Sequence, residues 1–173
     1  MISKKVCMLG GFSVGKTSLV DRYVHSIFSD KYLSTVGLKI SKKELAVDGV
    51  DVNLVLWDLE GKDVYSNMNM AYLRGAMGFF AVADGTRKET LEMAIALREL
   101  AVKCVGDIAS CLLINKADIM DQWEITESML NPLVKLGIPI LLTSAQSGFG
   151  VNEAFVRLAK DMLRRDSATR RQS

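Results

Sequence analysis

Gly10-Gly11-Phe12-Ser13-Val14-Gly15-Lys16-Thr17 is the stretch on which the fold turns. It fits G-x-x-x-x-G-K-[ST], and it stands where that spacing has to stand. Before it, Val6-Cys7-Met8-Leu9 is a short apolar run that predicts a buried strand. After it, Ser18 to His25 carries Leu19, Tyr23 and Val24 at near-helical spacing. The glycines let the backbone turn sharply beside an anion, and the helix that follows points its free N–H groups at it. Ser13, Val14, Gly15, Lys16, Thr17 and Ser18 are therefore the candidate phosphate-binding residues. Lys16 adds a mobile charge near the β and γ phosphates, and Thr17 a hydroxyl for Mg²⁺. A chance match in a glycine-rich turn is the alternative, and the flanking strand and helix argue against it. The motif says nucleotide without saying which.

The chain has 173 residues and a net charge of +2. That length suits one domain with a sizeable core, and the charge gives no broad basic field to hold nucleic acid. The exception is the end of the chain, where Arg164, Arg165, Arg170 and Arg171 surround a few small residues. The expectation is one domain over 1–165 and a basic, solvated, frayed tail over 166–173, in preference to a membrane or partner contact. Cys7, Cys104 and Cys111 lie in apolar runs without C-x-x-C spacing and read as buried, reduced packing residues. No apolar run is long enough to span a bilayer, and no signal-peptide core opens the chain. Ile2 excludes myristoylation, and the final Arg-Arg-Gln-Ser offers no cysteine for prenylation. With no lipid anchor and only weak surface attraction from four arginines, the expected location is cytoplasmic.

Further along, Leu38 to Val47 and Val50 to Trp57 flank Asp48-Gly49, a two-residue hairpin signal. Gly78 to Ala83 and Ile108 to Ile114 are apolar enough for buried strands, and Ile138-Pro139-Ile140-Leu141-Leu142 for a last one at a sheet edge. Lys88 to Val105 places Met93, Leu97, Leu100 and Cys104 on one helical face. Ile125 to Leu136 predicts a helix that Pro132 must kink or start. Val151 to Leu163 puts Val151, Phe155, Leu158 and Met162 on one face. Strands alternating with helices give an α/β fold: a mostly parallel six-stranded sheet, one antiparallel edge strand, and helices on both faces.

In such sheets ligands bind beyond the carboxyl ends of the strands. One strand ends at Trp57-Asp58, and Asp58 there is a candidate for holding Mg²⁺ across the phosphates from Lys16; a plain strand-ending cap is the alternative. Another ends at Asn115-Lys116-Ala117-Asp118. The Asp118 carboxylate can accept from both the ring N–H and the exocyclic amine of guanine. Adenine presents an acceptor at that ring nitrogen and would leave buried polar groups unpaired. The last strand ends at Thr143-Ser144-Ala145-Gln146, which can meet the base from the other side.

Taken together, these motifs resemble a Ras-superfamily small GTPase of the Rab-like branch, from Lys4 to about Leu163. Ser34-Thr35-Val36-Gly37, Trp57-Asp58-Leu59-Glu60-Gly61-Lys62 and Tyr72-Leu73-Arg74-Gly75-Ala76 echo that branch's switch segments. The resemblance implies the P-loop NTPase fold and a switch that binds GTP or GDP with Mg²⁺. It implies that Thr35 closes on Mg²⁺ and the γ-phosphate beside Thr17 and Asp58, and that Gly61 donates its N–H to the γ-phosphate. Phe28 would cover the base edge. Asn115, Lys116 and Asp118 would hold guanine, with Ser144, Ala145 and Gln146 behind it. Stretches 29–38 and 60–74 become switches that meet effector, exchange-factor and GTPase-activating proteins.

The chain also departs from that pattern. Lys62 stands where the family has a glutamine that orients the attacking water, and a lysine has no acceptor to polarise it. Phe12 replaces a small residue. Glu60 brings a carboxylate near the phosphates, and Gln146 replaces a lysine, leaving its backbone contacts. Lys62, Gly61 and Glu60 are thus the candidate catalytic positions, with slow unaided GTP hydrolysis expected. The alternative for Lys62 is a charge stabiliser in cis that partly replaces an arginine finger. A non-hydrolysing GTP-binding scaffold shares every binding residue and parts from the switch at Phe12, Glu60 and Lys62. A P-loop kinase or ATPase is opposed by Asn115 to Asp118.

Overall fold

The computed structural model describes residues 1–29, 37–59 and 70–170. In chain order they form β1 (Ile2–Gly10), α1 (Lys16–His25), β2 (Leu38–Val47), β3 (Val50–Leu59), β4 (Gly78–Asp84), α2 (Glu89–Val105), β5 (Ala109–Asn115), α3 (Glu127–Lys135), β6 (Ile140–Leu142) and α4 (Val151–Arg170). The strands make one six-stranded sheet in the order β2-β3-β1-β4-β5-β6. Only β2 runs antiparallel, against β3. Asp48 and Gly49 both take positive φ, at 49° and 80°, the backbone a tight two-residue hairpin needs.

β1 shows why the sheet is covered on both sides. Alternate side chains of a strand point to opposite faces. Val6 and Met8 join Leu19, Val20 and Tyr23 of α1 and Ala154, Phe155, Leu158 and Met162 of α4. Cys7 and Leu9 join Phe79 of β4 and Leu97 and Ala101 of α2. A third cluster packs Leu91 and Ala94 of α2 and Leu133 of α3 on Ala81, Ala83, Leu112 and Ile114. The Phe155 ring stacks on Tyr23 at 4.0 Å and meets Phe80 edge-on at 4.9 Å, so α1 and α4 are seated on the sheet by one aromatic group. After β3 the chain crosses to the other side of β1, so the strand order reverses beside β1 and leaves a crevice at its carboxyl end.

Several expectations need correction. The buried face of α2 is Thr90, Leu91, Ala94, Leu97 and Ala101, whereas Leu100 is 37% exposed. Cys104 is likewise exposed, so only Cys7 and Cys111 are buried packing thiols. Burial raises those two, to about 11 at Cys7 and about 12 at Cys111, which keeps them protonated. Of the two places open to Pro132, it takes the interior of α3, beyond its first turn. Pro139 directly precedes β6, which lies at the sheet edge, as its missing N–H requires. No helix of the described residues is long and apolar enough to cross a membrane.

The largest correction is at the end of the chain. α4 continues past Leu163 to Arg170, so the expected boundary at 165/166 falls inside a helix. The extension meets a need of β1. Lys4 points to the same face as Val6 and Met8 and is 1% exposed, and its ammonium donates to the Asp166 carboxylate. A lysine so far from water requires a partner, and breaking a buried pair by removing one member is costly. Asp166→Ala should therefore lower unfolding stability by about 2 kcal/mol, less than for a fully buried pair because Asp166 keeps some solvent. Adding Lys4→Met should recover most of the loss. Urea midpoints test both, and an unchanged midpoint in Asp166→Ala would remove the pair from the account of the fold.

Candidate functional site

Between β1 and α1 the backbone bends through Gly10 (φ 154°), Ser13 (φ 62°) and Gly15 (φ 100°). Ser13 is left-handed without being glycine, a strain that persists only where the surroundings hold it. Gly15 is the N-cap of α1 and gives its first turn no side-chain cap. The first amides of a ten-residue helix therefore face the loop interior, the arrangement that suits an anion. Lys16 folds back over the loop and donates to the carbonyls of Gly10 at 2.9 Å and Gly11 at 2.8 Å. Burial brings its ammonium down to about 8, against the opposing pull of the Asp58 carboxylate.

Asp58 is 1% exposed near the end of β3 and accepts from the Thr17 hydroxyl at 2.5 Å. Two hard oxygen ligands, one anionic, thus converge beside the phosphate loop, a donor set that fits Mg²⁺ and suits softer metals poorly.

The other end is built on Asn115, the last residue of β5 and 2% exposed. Its Nδ2 donates to the Val14 carbonyl at 3.0 Å. Its Oδ1 accepts from the Thr143 hydroxyl at 3.2 Å and the Ala145 N–H at 3.3 Å. Asp118 is exposed and accepts from the buried Ser144 hydroxyl at 2.5 Å, which fixes the direction of its carboxylate. Gln146 is exposed, and Arg22 of α1 secures that loop by donating to the Ala145 carbonyl at 2.7 Å and to the Gln146 carbonyl. Phe28 is half-buried and packs against the α1–α4 side of the core.

Lys116 is left-handed (φ 71°), and its ammonium lies 2.6 Å from Asp84, which ends β4 with no exposed side-chain surface. The Trp123 indole N–H donates to the Lys116 carbonyl at 3.0 Å. Arg87 also pairs with Asp84, at 3.0 Å, and donates to the Phe12 carbonyl at 2.9 Å. Arg22, Asp84, Arg87 and Trp123 are members of the constellation that the motifs did not single out. Asp84 carried a signal, since it ends a strand on the same edge as Asp58 and Asn115; the others carried none.

The structure thus brings Ser13 to Ser18, Asp58, Asn115 to Asp118 and Ser144 to Gln146 to one edge of the sheet. Thr35, Glu60, Gly61 and Lys62, and most of both switch stretches, lie outside the described residues. Asn115 also limits what the loop accepts: a Cβ on Gly15 would sit 2.3 Å from its Nδ2, whereas a Cβ on Gly49 would meet nothing. Both glycines have φ near 90°. Gly49→Ala should therefore cost about 1 kcal/mol from backbone strain alone, and Gly15→Ala at least about twice that. Equal losses in chemical denaturation would mean that the contact with Asn115 is not tight.

Comparison with known proteins agrees with this geometry. The profile described as "Ras: Ras family" matches residues 5–164. Ras-related protein Rab-8B of Homo sapiens is 31% identical over 161 residues, covering 92% of this chain and 78% of its own length. Ras-related protein Rab-13 of Bos taurus is 30% identical over 168 residues, covering 96% and 83% respectively. With a loop shaped for phosphates at one end and Asn115 to Asp118 at the other, this chain belongs to the Ras family as a Rab-like small GTPase.

Proposed function

We propose that the chain is a guanine-nucleotide switch that binds GTP and GDP with Mg²⁺ and hydrolyses GTP slowly without help. The observation that carries this reading is the Asn115–Val14 hydrogen bond, which ties a phosphate loop and a guanine-type segment into one rigid cradle. Lys16, Thr17 and the amides from Ser13 to Ser18 would hold the phosphates. Thr17 and Asp58, with Thr35, would hold Mg²⁺, which when bound supplies charge neutralisation at the phosphates. Asp118 would accept from the two N–H edges of guanine, its carboxylate already aimed by Ser144.

Slow hydrolysis is supported by Phe12, a residue 40% exposed on the phosphate loop, and by the sequence at Glu60, Gly61 and Lys62. A lysine there cannot orient water as a glutamine does. An activating protein can supply about 10³- to 10⁵-fold in rate, so the switch would still turn over. Effectors, exchange factors and activating proteins would meet it through 29–38 and 60–74.

Two measurements test the reading. The first is nucleotide choice and its pH dependence. GDP should outcompete ADP by about 10³-fold or more, because adenine leaves Asp118 unpaired. Phosphates favour the charged form of Lys16, and that form is lost in the free protein as pH rises through about 8. GDP affinity should therefore be level below pH 7 and then fall, approaching about tenfold per unit above pH 8, with Lys16→Met weak but flat. Equal binding of GDP and ADP would end the guanine reading. The second is single-turnover hydrolysis, in which Lys62→Gln and Phe12→Gly should each exceed the wild type. A wild type that already matches them has no impairment at these positions. Variants that also fail to turn over would favour the non-hydrolysing scaffold.

A further inference from the structure

Asp84 is shared by two cations from different parts of the site. Its Oδ2 lies 2.6 Å from the Lys116 ammonium and 3.0 Å from Arg87 Nε. Its Oδ1 accepts the Thr86 N–H at 2.9 Å and the Thr86 hydroxyl at 2.7 Å. Burial alone would push this carboxyl up, but the Lys116 and Thr86 hydrogen bonds outweigh it and hold the group below its ordinary value. A carboxylate with no exposed surface and this many donors is fixed in direction. Arg87, held on it by Nε, extends Nη2 to the Phe12 carbonyl at 2.9 Å. The planar fork of a guanidinium makes the two bonds from two separate nitrogens held in fixed geometry, whereas a lysine has a single nitrogen to serve both acceptors.

We propose that Arg87 is a positioning residue for the phosphate loop, fixing the peptide between Phe12 and Ser13 against the buried Asp84 and so linking that loop to Lys116 of the guanine segment. The inference rests on the guanine-nucleotide reading above. Its physical basis is the planarity of the peptide bond. The carbonyl of Phe12 and the N–H of Ser13 belong to one plane and point in opposite directions. Pulling the carbonyl toward Arg87 aims the Ser13 N–H the other way and removes a negative dipole end from the face that receives anions. It also helps hold Ser13 at φ 62°, where a serine does not rest unaided. Position 12 carries an exposed phenylalanine here, and its carbonyl is held from outside the loop. Arg87, arriving from the turn between β4 and α2, does so.

The test compares GDP and GMP on wild type, Arg87→Ala and Arg87→Lys, with thermal midpoints for each. Arg87→Ala should weaken GDP about tenfold, the cost of a charge-assisted hydrogen bond, and GMP by less than about twofold. Arg87→Lys keeps a cation beside Asp84, so it should recover the thermal midpoint without recovering GDP affinity. That split is the signature of positioning, and it remains readable in Arg87→Lys if the alanine variant folds poorly. Equal weakening of GDP and GMP, or rescue of both midpoint and GDP affinity by lysine, would reduce Arg87 to a structural ion pair and overturn the proposal. So would unchanged affinity in both variants. Failure of the underlying reading shows separately, in a wild type that prefers neither guanine nucleotide to its adenine counterpart.

Discussion

One side-chain amide holds the site together. Asn115 Nδ2 reaches the Val14 carbonyl across 101 residues of sequence, and its Oδ1 takes the Thr143 hydroxyl and the Ala145 N–H. A carboxamide is the side chain that offers donors and an acceptor in one rigid plane, so a carboxylate or an aliphatic residue of similar size cannot join these three segments. With 2% of its surface exposed, each of these bonds is made away from competing water. The sheet order makes this possible: β5 stands two strands from β1, with its carboxyl end level with the phosphate loop. Everything that must grip a nucleotide at both ends depends on that distance being fixed.

Much of this was legible in the sequence because the motifs are local and the fold places them by rule. The phosphate loop announces itself through glycine spacing between an apolar run and a helical one. Asp58, Asn115 and Asp118 follow strands, and strands of a parallel sheet end on one edge. The hairpin was readable from Asp48-Gly49, since few other pairs accept positive φ twice in succession.

What was missed was missed for physical reasons. Periodicity of large side chains points to one stripe of α2, yet the contact with the sheet is made partly by Ala94 and Ala101, which let the helix approach closely and leave Leu100 and Cys104 facing out. The last turns of α4 carry no apolar periodicity. They are held by a carboxylate that Lys4 requires, a long-range demand that local composition does not reveal. Arg87 belongs to the same class, since a charged residue after a strand reads as solvated until the tertiary structure brings it a partner.

Among the described residues, the two buried lysines show how the protein separates stability from function. Lys4 has a carboxylate, and its charge is matched within the fold. Lys16 has two carbonyl oxygens for direct partners, dipoles that hydrogen-bond an ammonium without neutralising it, and burial brings it down to about 8. The strained backbone follows the same division. Of the four non-glycine residues at positive φ among the described residues, Ser26 caps a helix and Asp48 turns a hairpin, while Ser13 and Lys116 lie in the site. A lysine short of counter-charge, a serine and a lysine in left-handed conformations, and a helix start without a side-chain cap are each unfavourable alone. An anionic ligand meeting the loop would relieve the charge and satisfy the amides together, so ligand binding and the rigidity of this edge of the sheet become one equilibrium.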